Sequence, residues 1–290
     1  MEDPRHPSDE RMSMMRRLGQ RYVDDFLLWE GSTRSVAILR ILLVLLLWDR
    51  FGEASMALDR NAFDGARLGF MALFWVSTTL LLIGFHTRVA AVLVAVVASG
   101  QTWFLAWAYE IDELSRHHVY TLGVYALLMA FTPCGRSYSV DRWLALKIAE
   151  RDHQPPPEER GPLWGLRLVC IMVSVMYVST AWEKSYWAYV DGSAMEMVWL
   201  TLYFGSDVAL FTGFHALTVL ASGLVLALEW MIGFGLWSRR WRLHWIALGV
   251  FLHGSIYWFI PVATFTTTMM ALYIAFFDPD EVHRFTEQVS

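Results

Sequence analysis

Apolar residues in this chain gather in runs of roughly 20, the length that carries an α-helix across a bilayer. Polar residues gather between the runs. Eight runs are read: Ser35 to Asp49, Leu68 to Ile83, Val89 to Trp107, His118 to Thr132, Leu163 to Trp182, Gly213 to Trp237, Leu243 to Ile260 and Val262 to Phe277. The pattern predicts an all-α, polytopic membrane bundle of eight transmembrane helices. Some runs need tilt or loop residues to complete the crossing. A ninth apolar stretch, Ser193 to Phe204, is too short to span and lies between Asp191-Gly192 and Gly205-Ser206-Asp207. It is expected to rest in the outer interface as an amphipathic helix.

Basic residues fix the orientation. Arg5, Arg11, Arg16, Arg17, Arg21 and Arg34 precede the first run or open it. Arg88 follows in the second turn. Arg136, Arg142, Lys147, Arg151 and Arg160 lie in the fourth loop, Arg239, Arg240 and Arg242 in the sixth, and Arg284 in the tail. All fall on one side of an eight-span scheme, whereas the other side holds only Arg50, Arg60, Arg67, Arg116 and Lys184. The positive-inside rule therefore predicts that both termini are cytoplasmic. The expected organisation is a cytoplasmic segment over residues 1–32, one membrane domain over 33–280 with a cytoplasmic linker near 133–162, and a tail over 281–290. No repeat relates the two halves.

Composition agrees. The chain is 56% hydrophobic and 18% charged, with mean hydropathy +0.38, against about 25% charged for a soluble domain. The net charge of -5, with no basic arm, excludes a nucleic-acid partner. Cys134 and Cys170 have no metal-ligand or redox spacing, so no metal site is expected. The charged first thirty residues hold no apolar core, and no cleavable signal peptide is expected. The expected location is a bacterial cytoplasmic (inner) membrane, with the lipid bilayer as the immediate partner. Trp103, Trp107, Trp182, Trp187, Trp199 and Trp258 crowd the outer side, as an interfacial aromatic belt would.

Of 23 Lys and Arg residues only Lys147 and Lys184 are lysines. A desolvated lysine can give up its proton, whereas an arginine effectively cannot. Lys184 closes the fifth run and is a candidate base; its bland alternative is a snorkelling anchor. Glu110, Asp112, Glu113, His117, His118 and His253 are expected at the same outer depth, where a base would find partners. His117 and His118 diverge by about 100° on a helix, so at most one faces the bundle centre. Glu229 falls on the inner half. It is expected to be structural and paired with Arg167 or Arg40.

Several stretches, in order, resemble the HTTM family, the membrane domain shared with vitamin K-dependent gamma-carboxylases. They are Leu39-Arg40-Ile41 with Trp48-Asp49, Gly84-Phe85-His86-Thr87-Arg88, His118-Val119-Tyr120 with Ser139-Val140-Asp141, Tyr177 through Met195, and His253 through Phe265. In the carboxylases a lysine after the corresponding helix is regarded as the base that deprotonates vitamin K hydroquinone. The reduced quinone then reacts with oxygen and yields a strong base for the glutamate. The resemblance implies that Lys184, upstream of Tyr189-Val190-Asp191-Gly192, is that catalytic lysine and that His118 supports it. Tyr120, Trp187 and His253 are the candidate cofactor-binding residues, and a reduced quinone is the implied cofactor.

Two departures matter. Where the carboxylases carry a second lysine before the base, this chain has Glu183, and a paired carboxylate favours the charged lysine. About a dozen residues follow the last run, in place of a large luminal region that binds a propeptide. The resemblance implies chemistry on a hydrophobic small molecule or peptide at an outer, lipid-facing pocket, gamma-carboxylase or quinone-epoxidase-like. Two alternatives stand beside it: a non-enzymatic membrane partner in maturation of, or immunity to, an exported peptide, and a DoxX-like quinol-oxidoreductase subunit.

Overall fold

A computed structural model of the chain describes residues 19–20, 23, 26–56, 65–109, 117–204, 212–259 and 263–289. Among the described residues the chain is all-α apart from one two-stranded ribbon. In order it forms β1 (Glu30–Ser32), α1 (Arg34–Met56), α2 (Gly65–Ile83), α3 (Thr87–Tyr109), α4 (His117–Met129), α5 (Val140–Arg151), β2 (Arg160–Pro162), α6 (Trp164–Lys184), α7 (Trp187–Val190), α8 (Ser193–Trp199), α9 (Thr212–Gly235), α10 (Arg242–Phe259), α11 (Ala263–Leu272) and α12 (Pro279–Val289). A π turn at Leu200–Phe204 extends α8, and a 3-10 turn at Tyr273–Phe276 extends α11. Each of the eight apolar runs is helical. Two described helices, Trp164–Lys184 and Gly213–Gly235, are long and apolar enough to cross a membrane on length and composition alone.

The chain divides into two compact units, Met1–Leu168 with Phe277–Ser290, and Val169–Phe276. In the first unit the organising group is Arg40. Its side chain is completely buried in α1. A buried guanidinium needs acceptors, and backbone carbonyls supply them: Nη1 donates to Cys134 O at 2.6 Å, and Nη2 to Tyr138 O at 2.6 Å and Leu82 O at 3.4 Å. One side chain thus ties α1 to the end of α2 and to the loop after α4. Gly84 completes the knot. It has φ +69°, and a Cβ there would collide with Ser139 and the Arg40 guanidinium. Asp141 locks the next turn by accepting from His86 N and Thr87 N, both at 2.9 Å. Three of the sequence stretches quoted above therefore meet at one point.

Hydropathy does not reveal α5, β1–β2 or α12. Helix α5 is polar and depends on its ends: Ser139 Oγ accepts from Arg142 N at 2.9 Å, Asp141 lies in the first turn and Arg151 in the last. The ribbon pairs Glu30 with Pro162 and Ser32 with Arg160. Helix α12 takes in residues 281–289 of the expected tail. Asp280, in its first turn, accepts from Ser32 N at 3.2 Å and Arg160 Nη1 at 2.8 Å. Cys134 and Cys170 are buried thiols, and burial pushes the Cys134 thiol up.

Arg40→Ala strands three carbonyls around an apolar cavity. It should lower the unfolding free energy of the detergent-solubilised protein by about 2–4 kcal/mol. Arg40→Lys should recover only part of that loss, because one ammonium cannot reproduce the fork. Thermal unfolding followed by tryptophan fluorescence measures both.

Candidate functional site

The second unit is organised along α9. Successive side chains of α6, α7 and α8 meet it in antiparallel order. Ser174 Oγ accepts from Trp237 Nε1 at 2.7 Å, and Tyr177 packs on Gly233. Lys184 donates to Glu229, and Gly192 sits against the backbone of Val219. Glu196 Oε2 meets His215 Nδ1 at 2.6 Å, and the Trp199 ring centroid lies 6.0 Å from that of Phe214. The three helices follow one another along α9, with breaks after Lys184 and at Gly192, where φ is +83°.

This corrects one sequence expectation. The Ser193 to Phe204 stretch does not lie apart as an interfacial helix, because α8 runs along the first half of α9. Lys184 stands at the level of Glu229, six residues before the end of α9, and the loop carboxylates expected at its depth lie outside the described residues. Hydropathy locates helices but does not set the stagger between them.

The pairing of Glu229 is corrected as well. Its partner is Lys184, while Arg40 binds carbonyls and Arg167 stacks on Trp29, 4.7 Å from the ring centroid. The Lys184 side chain is 31% exposed and that of Glu229 only 6%. Glu229 Oε2 is buried with no hydrogen-bond partner among the described residues. Glu183, next in sequence, is exposed. Lys184 is the last residue of α6, where unpaired carbonyls and the helix dipole favour a cation.

A second polar group adjoins this pair. Tyr177, two turns before Lys184 on the same face of α6, shares a hydrogen bond of 2.6 Å with His253 Nε2 and another with the Tyr273 hydroxyl. His253 is 1% exposed, and its Nδ1 has no hydrogen-bond partner among the described residues. Gly249 makes the close approach possible, since a Cβ there would overlap the Tyr273 hydroxyl.

The Lys184–Glu229 pair and the Tyr177–His253–Tyr273 network thus meet α6 two turns apart on one face. Trp187 is 78% exposed and makes no hydrogen bond to these groups. Tyr120 belongs to the first unit, where its ring centroid lies 6.0 Å from that of Trp103. His117 and His118 open α4, but their side chains lie outside the described residues, as do Glu110, Asp112 and Glu113. Among the described residues no group of three His, Cys, Asp or Glu side chains is placed to hold a metal ion. Sequence reasoning gave Tyr177 and Tyr273 no role. The available signal was spacing: Tyr177 and Lys184 lie seven residues apart on a helix that also carries the lysine's only uncommon feature, a charge amid apolar neighbours.

The chain belongs to the HTTM domain family, whose model matches residues 33–280. HTTM domains are found in membrane proteins related to vitamin K-dependent carboxylases. No curated protein and no solved structure matches the chain.

Lys184→Met leaves a buried carboxylate without its cation, whereas Glu229→Gln leaves a half-exposed ammonium that water can reach. The first should destabilise more, and the double variant should recover part of the loss. The expected coupling is about 1–3 kcal/mol. Unfolding of the four proteins in one detergent measures it; additive losses would mean that the two side chains do not interact.

Proposed function

We propose that the chain is an integral membrane protein of eight spans with both termini cytoplasmic. In it Lys184 and Glu229 form a proton-transfer centre acting on a hydrophobic hydroxyl acid, with a reduced quinone as the substrate class. One observation carries this reading: an ionisable pair, with one carboxylate oxygen unpartnered among the described residues, where α6 ends against α9. Intramembrane ionisable groups are costly and tend to mark function, and interrupted helices supply sites inside a bilayer. The quinone is what the resemblance to the vitamin K-dependent carboxylases implies. The outward side chains fit a lipid-facing surface, since Val76, Val96, Val175, Leu220 and Phe251 are all more than half exposed.

The step is a proton transfer. Lys184 passes its proton to Glu229, and the free amine takes the proton of the substrate hydroxyl. The products are a substrate oxyanion, an ammonium beside it and a neutral Glu229 acid; charge balances throughout. Low polarity favours the short-lived neutral pair. The Tyr177–His253–Tyr273 network offers an onward route for the proton. The reading needs no group outside Val169–Phe276.

A second reading has one observation in its favour: Lys184 is already paired, as a purely structural cation would be. The chain is then a non-enzymatic membrane partner of an exported peptide.

Lys184→Arg separates the two. It keeps the charge but removes the neutral form. With reduced naphthoquinone and oxygen, the reconstituted wild type should accelerate oxygen uptake, because the quinolate anion is what oxygen oxidises. Lys184→Arg and Lys184→Ala should both abolish that acceleration. Full activity in Lys184→Arg would support the structural reading. Topology is tested separately: with both native thiols buried, cysteines introduced at Thr201 and Ser238 should label from opposite sides of the membrane. Labelling from one side would overturn the eight-span arrangement.

A further inference from the structure

In the first unit a cleft of about 840 Å³ opens between the α2–α3 turn, the loop after α4, the start of α5 and the chain before β2. Its lining includes Arg88, Arg136, Arg142 and Arg160, with Asp141, Glu30 and Glu158 as the carboxylates. These charges have different tasks. Asp141 spends both oxygens capping α3 at His86 N, Thr87 N and Thr87 Oγ1. Arg160 is held by Asp280, and Arg142 by the Pro157 carbonyl and Glu159. Those contacts build the walls. Arg136 gives one nitrogen to the Arg160 carbonyl, and Arg88 has no carboxylate partner among the described residues. Both are exposed, as are Glu30 and Glu158. The first-turn N–H groups of α3, at Arg88 and Val89, have no helical acceptor and add positive potential.

From this arrangement we infer that the cleft binds a phosphate group, held by the Arg88 and Arg136 forks at the start of α3. Guanidinium forks match phosphate oxygens pairwise, and the volume exceeds what a bare ion needs. The group comes either from an anionic lipid headgroup or from a free phosphorylated solute. The flank favours the lipid: Ile83, Val89 and Phe131, at the cleft's edge, are exposed apolar side chains along which acyl chains would run. The inference is independent of the Lys184 chemistry and uses no residue of that centre.

The test uses the full-length protein in a neutral detergent. Thermal unfolding is followed against dioctanoyl phosphatidic acid, dioctanoyl phosphatidylcholine and inorganic phosphate. Saturable stabilisation by phosphatidic acid but not phosphatidylcholine is expected. It should be about tenfold weaker in the Arg88→Ala/Arg136→Ala variant and unchanged in Arg239→Ala/Arg240→Ala, which removes two exposed arginines elsewhere. Equal stabilisation by inorganic phosphate would retain the site and assign it to a free solute. No saturable effect from either phosphate, or equal weakening in the two double variants, would overturn the proposal. Should Arg88→Ala/Arg136→Ala fail to fold, Arg88→Lys/Arg136→Lys keeps both charges and should still bind several-fold more weakly than wild type.

Discussion

A charge placed among apolar side chains must find its partners within the protein. That requirement shapes both compact units. In the first, Arg40 recruits three backbone carbonyls, and the recruited segments are those where the helices stop: the end of α2 and the loop after α4. In the second, Lys184 finds Glu229, and the chain leaves its helix at that lysine. Irregular backbone and buried charge coincide in both cases. Carbonyls freed from helices are the acceptors a buried cation uses, and a helix end is where a cation is electrostatically favoured.

The helices were legible because burial in lipid or protein demands long apolar runs, and each of the eight runs is helical. Arg40, Gly84 and Asp141 were legible as motifs, although their convergence was not. Elements held by caps and ion pairs escaped notice. The polar helix α5 rests on Ser139 and Asp141, and α12 rests on Asp280; neither carries an apolar run that hydropathy could register.

The site was legible in part. Lys184 and His253 stood out because a polar group amid apolar neighbours is conspicuous at any depth. Their partners were harder to assign. Glu229 was visible as the deepest carboxylate, yet its partner depends on how far α9 slides along α6, and that stagger is set by contacts such as Gly233 on Tyr177 and Gly192 on Val219. Tyrosines are common in membrane proteins as interfacial residues, so Tyr177 and Tyr273 carried no distinctive signal until the structure placed their hydroxyls on each other and on His253.

When the substrate hydroxyl loses its proton to Lys184, Glu229 ends as the neutral acid. Infrared difference spectroscopy observes that event directly. Adding reduced naphthoquinone to the reconstituted protein without oxygen should raise a protonated-carboxyl band that is absent from Glu229→Gln. A spectrum with no new carboxyl band, or one that Glu229→Gln leaves unchanged, would contradict the proposed role of the Lys184–Glu229 pair.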